Sequence, residues 1–99
     1  MTEREEFECA AKAAGNGADW DGDGFVVPVP FKHGLINYEA WNPKHDDADS
    51  FRLGVKIGAF NGWPEFNTYR TAYELEGKDA LTATRLAIFR LAVEIGGKV

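Results

Sequence analysis

The stretch DDADSFRLGVKI, residues 46–57, decides which fold this chain can adopt. From Phe51 to Ala59, apolar residues alternate with polar residues or glycine, which is the period-two pattern of a half-buried strand. The aspartates that precede them favour the N-terminus of a helix instead. A stripe at helical spacing also runs through the segment, formed by Ala48, Phe51, Val55 and Ala59. Periodicity alone leaves both interpretations open.

Helices are predicted on both sides of this stretch. Thr2-Glu3-Arg4-Glu5 is a capping-box sequence, and apolar residues then recur at helical spacing until Gly15. A last helix is predicted to begin at Lys78 or Asp79 and to stop at Gly96-Gly97. It carries two apolar stripes that predict deep burial: Leu81, Ile88, Ala92 and Ile95, and Ala80, Ala83, Ala87 and Leu91.

Short antiparallel strands are predicted between the helices, because the intervening segments are rich in aromatic and β-branched residues. These segments are Phe25 to Phe31, Leu35 to Tyr38, the residues around Ala59 to Phe66, and Thr68 to Leu75. Pro28 and Pro30 have no backbone N–H to donate, which predicts that the first strand lies at a sheet edge.

The composition predicts one domain over residues 1–99. The chain is 44% hydrophobic and 13% aromatic, which is enough apolar material for one core. Cys9 is the single cysteine, and no apolar segment follows a basic start, so we expect a cytoplasmic protein. The longest apolar run, Phe25 to Phe31, is far shorter than the roughly 20 residues that a membrane-spanning helix needs.

The formal net charge of −5 is unevenly distributed. Residues 1–50 carry four Lys or Arg against eleven Asp or Glu, whereas residues 51–99 carry seven against five. The basic residues form no run that would neutralise phosphates, so we do not expect nucleic-acid binding. The acidity is typical of solubility, and the alternative is an acidic surface that meets a basic partner.

The stretch DWDGDG, residues 19–24, begins like an EF-hand calcium loop. The twelfth position of such a loop should be a bidentate glutamate, but here it is Pro30, and the residues after Gly24 do not favour a helix. Asp-Gly pairs favour tight turns. We therefore predict a turn without a tightly held calcium ion.

No catalytic or metal-binding motif is recognisable in the sequence. It has no phosphate-binding glycine loop, nucleophile elbow or paired-cysteine motif. His33 and His45 are the only histidines, which excludes a histidine-rich zinc site. We predict no enzymatic activity, no cofactor and no metal site.

The block WNPKHDDADSFRLGVKI, residues 41–57, and the closing ATRLAIFRLAVEIG, residues 83–96, resemble the phage ABA sandwich domain family. This family of small phage and prophage proteins is distantly akin to the NinX proteins of lambdoid phages. The resemblance implies helices packed around a small antiparallel sheet and favours a helix over residues 46–58. With the two helices predicted above, this gives an α+β fold of three helices and a small antiparallel sheet. The resemblance implies no catalytic residue.

Two functions follow as expectations. The first is a phage accessory protein that binds a host or phage protein, for example to antagonise a host defence. Its candidate partner-binding residues are Asp19, Asp21, Asp23, Trp41 and Trp63, although Trp41 is also expected in the core. The alternative is a small-molecule or nucleotide-binding module with a pocket edged by Arg52, Lys56, Arg70 or Arg85.

Overall fold

A computed structural model describes residues 1–98, which form four α-helices and a three-stranded antiparallel sheet. The helices are α1 (Glu3–Ala14), α2 (Asp47–Ile57), α3 (Pro64–Leu75) and α4 (Ala80–Gly97), and the strands are β1 (Asp19–Trp20), β2 (Phe25–Pro30) and β3 (Ile36–Ala40). The predicted α+β class is confirmed, with four helices in these residues rather than three. Val99, the last position of the predicted domain, lies outside the described residues.

The ambiguous stretch is helix α2. The Asp46 carboxylate accepts the backbone N–H of Asp49 at 2.8 Å, and Gly58 ends the helix in the left-handed conformation. Its buried face is formed by Ser50, Leu53 and Gly54, with Ile57 half-buried. Ala48, Phe51 and Val55 of the predicted stripe are exposed. Ser50 and Gly54 are small, so α2 can approach α4 closely on the face that carries them. This face is therefore buried in place of the predicted stripe.

The strands predicted around 59–66 and over 68–75 are wrong. Helix α3 occupies most of this region, and turns connect it to α2. Pro64 stands in the first turn, where its missing N–H costs nothing. Phe66 is buried, and Tyr69 and Tyr73 are half-buried against the rest of the protein. Their three- and four-residue spacing places them on one face of a helix. This spacing indicated the structure correctly, whereas the β-propensity of the aromatic residues did not.

Helix α4 is the centre of the helical part, because α1, α2 and α3 all pack against it. Its buried residues are Ala83, Ala87, Ile88, Phe89, Leu91, Ala92 and Gly96. Deep burial is therefore confirmed, but Ala80 and Leu81 in the first turn are exposed. The helix also continues through the predicted stop at Gly96-Gly97. A Cβ atom on Gly96 would lie 1.7 Å from the Cys9 carbonyl oxygen, so this glycine lets α1 and α4 cross closely.

The sheet is anchored to the helices at one end. Phe25 of β2 stacks on Phe7 of α1 with ring centroids 5.3 Å apart, and Phe7 lies 4.9 Å from Phe89 of α4. Trp41, directly after β3, packs edge-on against both Phe7 and Phe25. These rings join the sheet to the core.

Strand β2 is central in the order β1-β2-β3, not at an edge as its prolines predicted. However, β1 pairs only with Phe25 and Val26. Pro28 and Pro30 lie beyond the end of β1, on a part of β2 that has β3 as its only strand neighbour within residues 1–98. The physical reason for the prediction therefore holds for the second half of the strand.

Strands β2 and β3 form a hairpin, residues 25–40, whose far end carries no covering element. Lys32–Gly34 make a short 3₁₀ turn in which His33 has a left-handed φ of 60°. The Phe31 N–H donates to the Leu35 carbonyl at 2.8 Å and closes this turn. Every residue from 30 to 40 is exposed, so the hairpin projects from the helical part into solvent.

Candidate functional site

The DWDGDG stretch contains β1 and, as predicted, a turn, which spans residues 21–24 and joins β1 to β2. The Asp21 N–H donates to the Gly24 carbonyl, and the Asp21 carboxylate accepts the N–H groups of Asp23 and Gly24 at 2.9 and 3.0 Å. These two bonds hold the pKa of Asp21 below its ordinary value, since they stabilise the charged carboxylate. Asp21 is therefore committed to the turn. Asp23 is exposed and forms no ion pair within residues 1–98.

Asp23 and Glu3 lie on one groove of ≈ 400 Å³, which we call the acidic groove. Its aromatic walls come from three elements: Phe7 of α1, Trp20 of β1, and Phe25 and Trp41 of the sheet base. Carboxylates beside aromatic rings form a surface that suits a cationic side chain. The capping box at Thr2 places Glu3 here because it fixes where α1 begins.

The acidic groove already holds a cation from its own chain. The Arg4 guanidinium lies 4.9 Å from the centre of the Trp20 ring and 3.4 Å from the Glu8 carboxylate. Both partners in that ion pair are about half exposed, so the contact is weak and easily exchanged. Lys44 also lies 3.5 Å from Glu3. The groove therefore has cations of its own, and Arg4, whose contacts are exposed, is the one that a partner's cation would replace.

Of the two tryptophans predicted to bind a partner, Trp41 is 6% exposed. Its ring packs against Phe7 and Phe25, and its backbone N–H donates to the Phe25 carbonyl at 2.8 Å. Its assignment as an exposed partner-binding anchor is therefore wrong, and the core alternative holds. Trp63 is 39% exposed at the start of α3. It does not line the acidic groove, so the structure separates it from the aspartates.

The four cationic residues proposed for a pocket do not converge. Arg85 binds the Asp47 carboxylate at 2.6 Å and the Lys44 carbonyl at 3.3 Å. Arg70 pairs with Glu74 on α3. Arg52 and Lys56 alone share a cleft of ≈ 520 Å³ between α2 and the hairpin, floored by apolar residues that include Val27, Val29 and Leu53. The cleft therefore contains two of the four predicted cations, and the carboxylates Glu39 and Asp49 also line it.

Two exposed apolar surfaces were missed by the sequence interpretation. One is on the hairpin, where Phe31, Leu35, Ile36 and Tyr38 are all more than half exposed. The other is formed by Phe51 and Val55 of α2 with Phe60. Apolar residues on both sides of Lys32-His33-Gly34 were a signal for the first, but predicting strands there did not show that this end of the sheet has no covering element.

The Tyr69 hydroxyl donates to the Glu94 carboxylate at 2.5–2.6 Å and joins α3 to α4. This hydrogen bond is the main cause that raises the pKa of Tyr69, and partial burial adds to it. Arg90 stacks on the Tyr69 ring at 4.0 Å and lies 3.9 Å from Glu94. The polar groups of these three side chains interact with one another, so we interpret them as a structural contact between α3 and α4.

Within residues 1–98, no three His, Cys, Asp or Glu side chains are grouped as metal ligands. No helix in this range combines the length and hydrophobicity needed to cross a membrane. Comparisons of the chain with protein-family models, with curated proteins and with solved structures give no match. The residues and geometry of this chain therefore carry the functional argument.

Proposed function

We propose that this protein is a small acidic phage or prophage accessory protein that binds a host or phage protein in the bacterial cytoplasm. The observation that supports this best is the acidic groove, where Glu3 and Asp23 share a surface with Trp20, whose ring already contacts Arg4. The partner chemistry that fits is an exposed arginine or lysine on a basic surface. Antagonism of a host defence protein is one function that such binding would serve.

The charge distribution adds a second argument. The acidic groove belongs to the half of the chain that carries eleven carboxylates against four basic residues. Exposed charges of one sign accelerate encounter with an oppositely charged surface, and this effect weakens at high salt. The acidic half would steer the partner, and Asp23 lies on the groove with Trp20, whereas Asp19 does not line it.

The test uses Asp23→Lys with Glu76→Lys as a matched control. Both residues are exposed and both substitutions change the charge equally, but Glu76 lies in the α3–α4 turn, outside the groove. Asp21 is unsuitable because its carboxylate holds the turn. Wild type and variants are immobilised, and a basic protein recovered from host lysate is identified, purified and measured for association rate across a salt series.

We expect Asp23→Lys to slow association at least about tenfold at low salt, and Glu76→Lys to slow it much less. The gap should close as salt rises. A partner that binds both variants equally at every salt concentration would contradict the proposal, as would the absence of any specific partner. Trp63→Ala tests separately whether the exposed tryptophan contributes an anchor, and it should then raise the dissociation rate.

The cleft between α2 and the hairpin supports a second candidate function, binding of a nucleotide or another small anionic molecule. Its apolar floor suits a base or ring, and Arg52 and Lys56 suit a phosphate, although the carboxylates Glu39 and Asp49 line the same cleft. Arg52 is partly committed, because it lies 3.3 Å from the Asp49 carboxylate. Calorimetric titration with ATP and with inorganic phosphate tests this candidate, and Lys56→Ala should abolish any binding observed.

A further inference from the structure

The two long edges of the hairpin differ in how well they are protected against pairing with another strand. Along β2, Pro28 and Pro30 occupy the part that extends beyond β1, and neither can donate a hydrogen bond to another strand. Along β3, the sequence is Ile-Asn-Tyr-Glu-Ala, with no proline and one charge, Glu39. No strand within residues 1–98 pairs with the outer edge of β3.

The hydrogen-bond pattern shows which groups of β3 face outward. The Trp41 N–H donates to the Phe25 carbonyl, and the Phe31 N–H donates to the Leu35 carbonyl. In an antiparallel pair the residues alternate between bonded and non-bonded positions, so Asn37 and Glu39 face β2. The N–H and C=O groups of Ile36, Tyr38 and Ala40 therefore point away from the hairpin. All five residues of β3 are exposed.

We propose that β3 pairs with β3 of a second copy of this chain, antiparallel and with Tyr38 on the twofold axis. This arrangement would join the two sheets through about six backbone hydrogen bonds. It does not rest on the partner proposed above, and it touches the acidic groove only at Ala40, the last residue of β3.

The sequence of β3 matches itself in this register. Tyr38 meets Tyr38 of the second copy, and Ile36 meets Ala40, so each outward-facing residue meets another outward-facing residue. Asn37 lies opposite Glu39, which places an amide beside a carboxylate and no like charges together. Lys32 and Glu39 are the charged residues of the segment 25–41, and they cancel. The net charge of −5 therefore lies elsewhere and opposes approach at this edge little.

Proline at Tyr38 tests the backbone contact, because it would copy the protection that Pro28 gives the other edge. Tyr38 faces away from β2, so Tyr38→Pro removes an outward donor without removing a bond between β2 and β3. Tyr38→Thr keeps the donor and is the matched control. We expect sedimentation to show a concentration-dependent dimer for the wild type and Tyr38→Thr, and a monomer for Tyr38→Pro.

A cysteine pair tests the register even if Tyr38→Pro fails to fold. In a Cys9→Ser background, Tyr38→Cys places two thiols on the axis with Cα atoms about 5.5 Å apart, within reach of a disulfide. Ile36→Cys places its thiols roughly 13 Å apart along the strands, out of reach. Mild oxidation should therefore link Tyr38→Cys into dimers and leave Ile36→Cys monomeric.

The proposal would be overturned by a wild type that stays monomeric to about 1 mM, by a dimer that Tyr38→Pro leaves intact, or by equal cross-linking of both cysteine variants. A monomer that binds an extended segment of a different protein, with that binding lost in Tyr38→Pro, would likewise overturn it by assigning the edge to another occupant.

Discussion

The helical part and the hairpin of this protein differ in how far their apolar residues are covered. In the helical part, α4 is covered on three sides, and Ile88 and Leu91 are fully buried. In the hairpin, Ile36 and Tyr38 are 60% and 64% exposed. Residues of similar hydrophobicity thus stabilise the fold in one region and remain in solvent in the other. The buried residues of α4 therefore stabilise the fold, and the exposed residues of the hairpin are available for contact with another molecule.

The sharpest test of this comparison places the same charge in both regions. Ile88→Asp buries an unpaired carboxylate in the core, and we expect it to cost about 4 kcal/mol or more, comparable with the whole stability of a domain of this size. Ile36→Asp changes an exposed side chain, and we expect a change within about 0.5 kcal/mol. Chemical denaturation measures both. Equal losses would show that the hairpin is packed as firmly as the helices.

Adjacent glycines provide the next test, within the helical part itself. Gly96→Ala would drive a methyl group into the Cys9 carbonyl, and we expect it to separate α1 from α4 at a cost of about 3 kcal/mol. Gly97→Ala meets no atom within 4 Å and should change stability by less than about 1 kcal/mol, in the stabilising direction. Thermal unfolding of the two variants measures the difference. If Gly96→Ala is neutral, the close crossing of the helices is wrong.

The smallest expected effect concerns the contact between α3 and α4. Tyr69→Phe removes the hydrogen bond to Glu94 and should cost about 1 kcal/mol at neutral pH. The pKa of Tyr69 is raised in the folded protein, so this stabilisation is present below pH 10 and is lost as the pH rises through the folded-state value. Unfolding of wild type and variant should therefore converge in alkali.

Tyr73→Phe, one turn later on α3, is the control for that measurement. Tyr73 forms no side-chain hydrogen bond to residues 1–98, so its substitution should leave the stability nearly unchanged at neutral pH. A loss as large as that of Tyr69→Phe would mean that general packing of α3, and not the bond to Glu94, accounts for the effect.

The sequence was informative where local chemistry alone determines structure. The capping box at Thr2, the turn at Asp21 and the burial of α4 all depend on near neighbours or on a long apolar pattern. It was misleading where a distant element decides. The buried face of α2 depends on how closely α4 approaches Gly54, and nothing in residues 46–57 specifies that neighbour.

The candidate site also combines features that the sequence predicted with features that depend on distant elements. The acidic residues near Trp20 were predicted from composition, but their position beside Glu3 requires α1 to lie against the sheet base. Trp41 was left between core and surface, because a tryptophan before a helix can adopt either position. The open edge of β3 was not predicted, since an alternating pattern does not show whether a neighbouring strand exists.

The close contact of Gly96 with Cys9 also has a consequence for synthesis on the ribosome. Helix α1 is translated first among the helices and α4 last, so the contact cannot form until nearly all of the described chain has left the exit tunnel. The hairpin needs only local pairing and can form much earlier. During that interval its open edge is present while the helical part is still incomplete, and nascent chains on neighbouring ribosomes could meet there before either has finished folding.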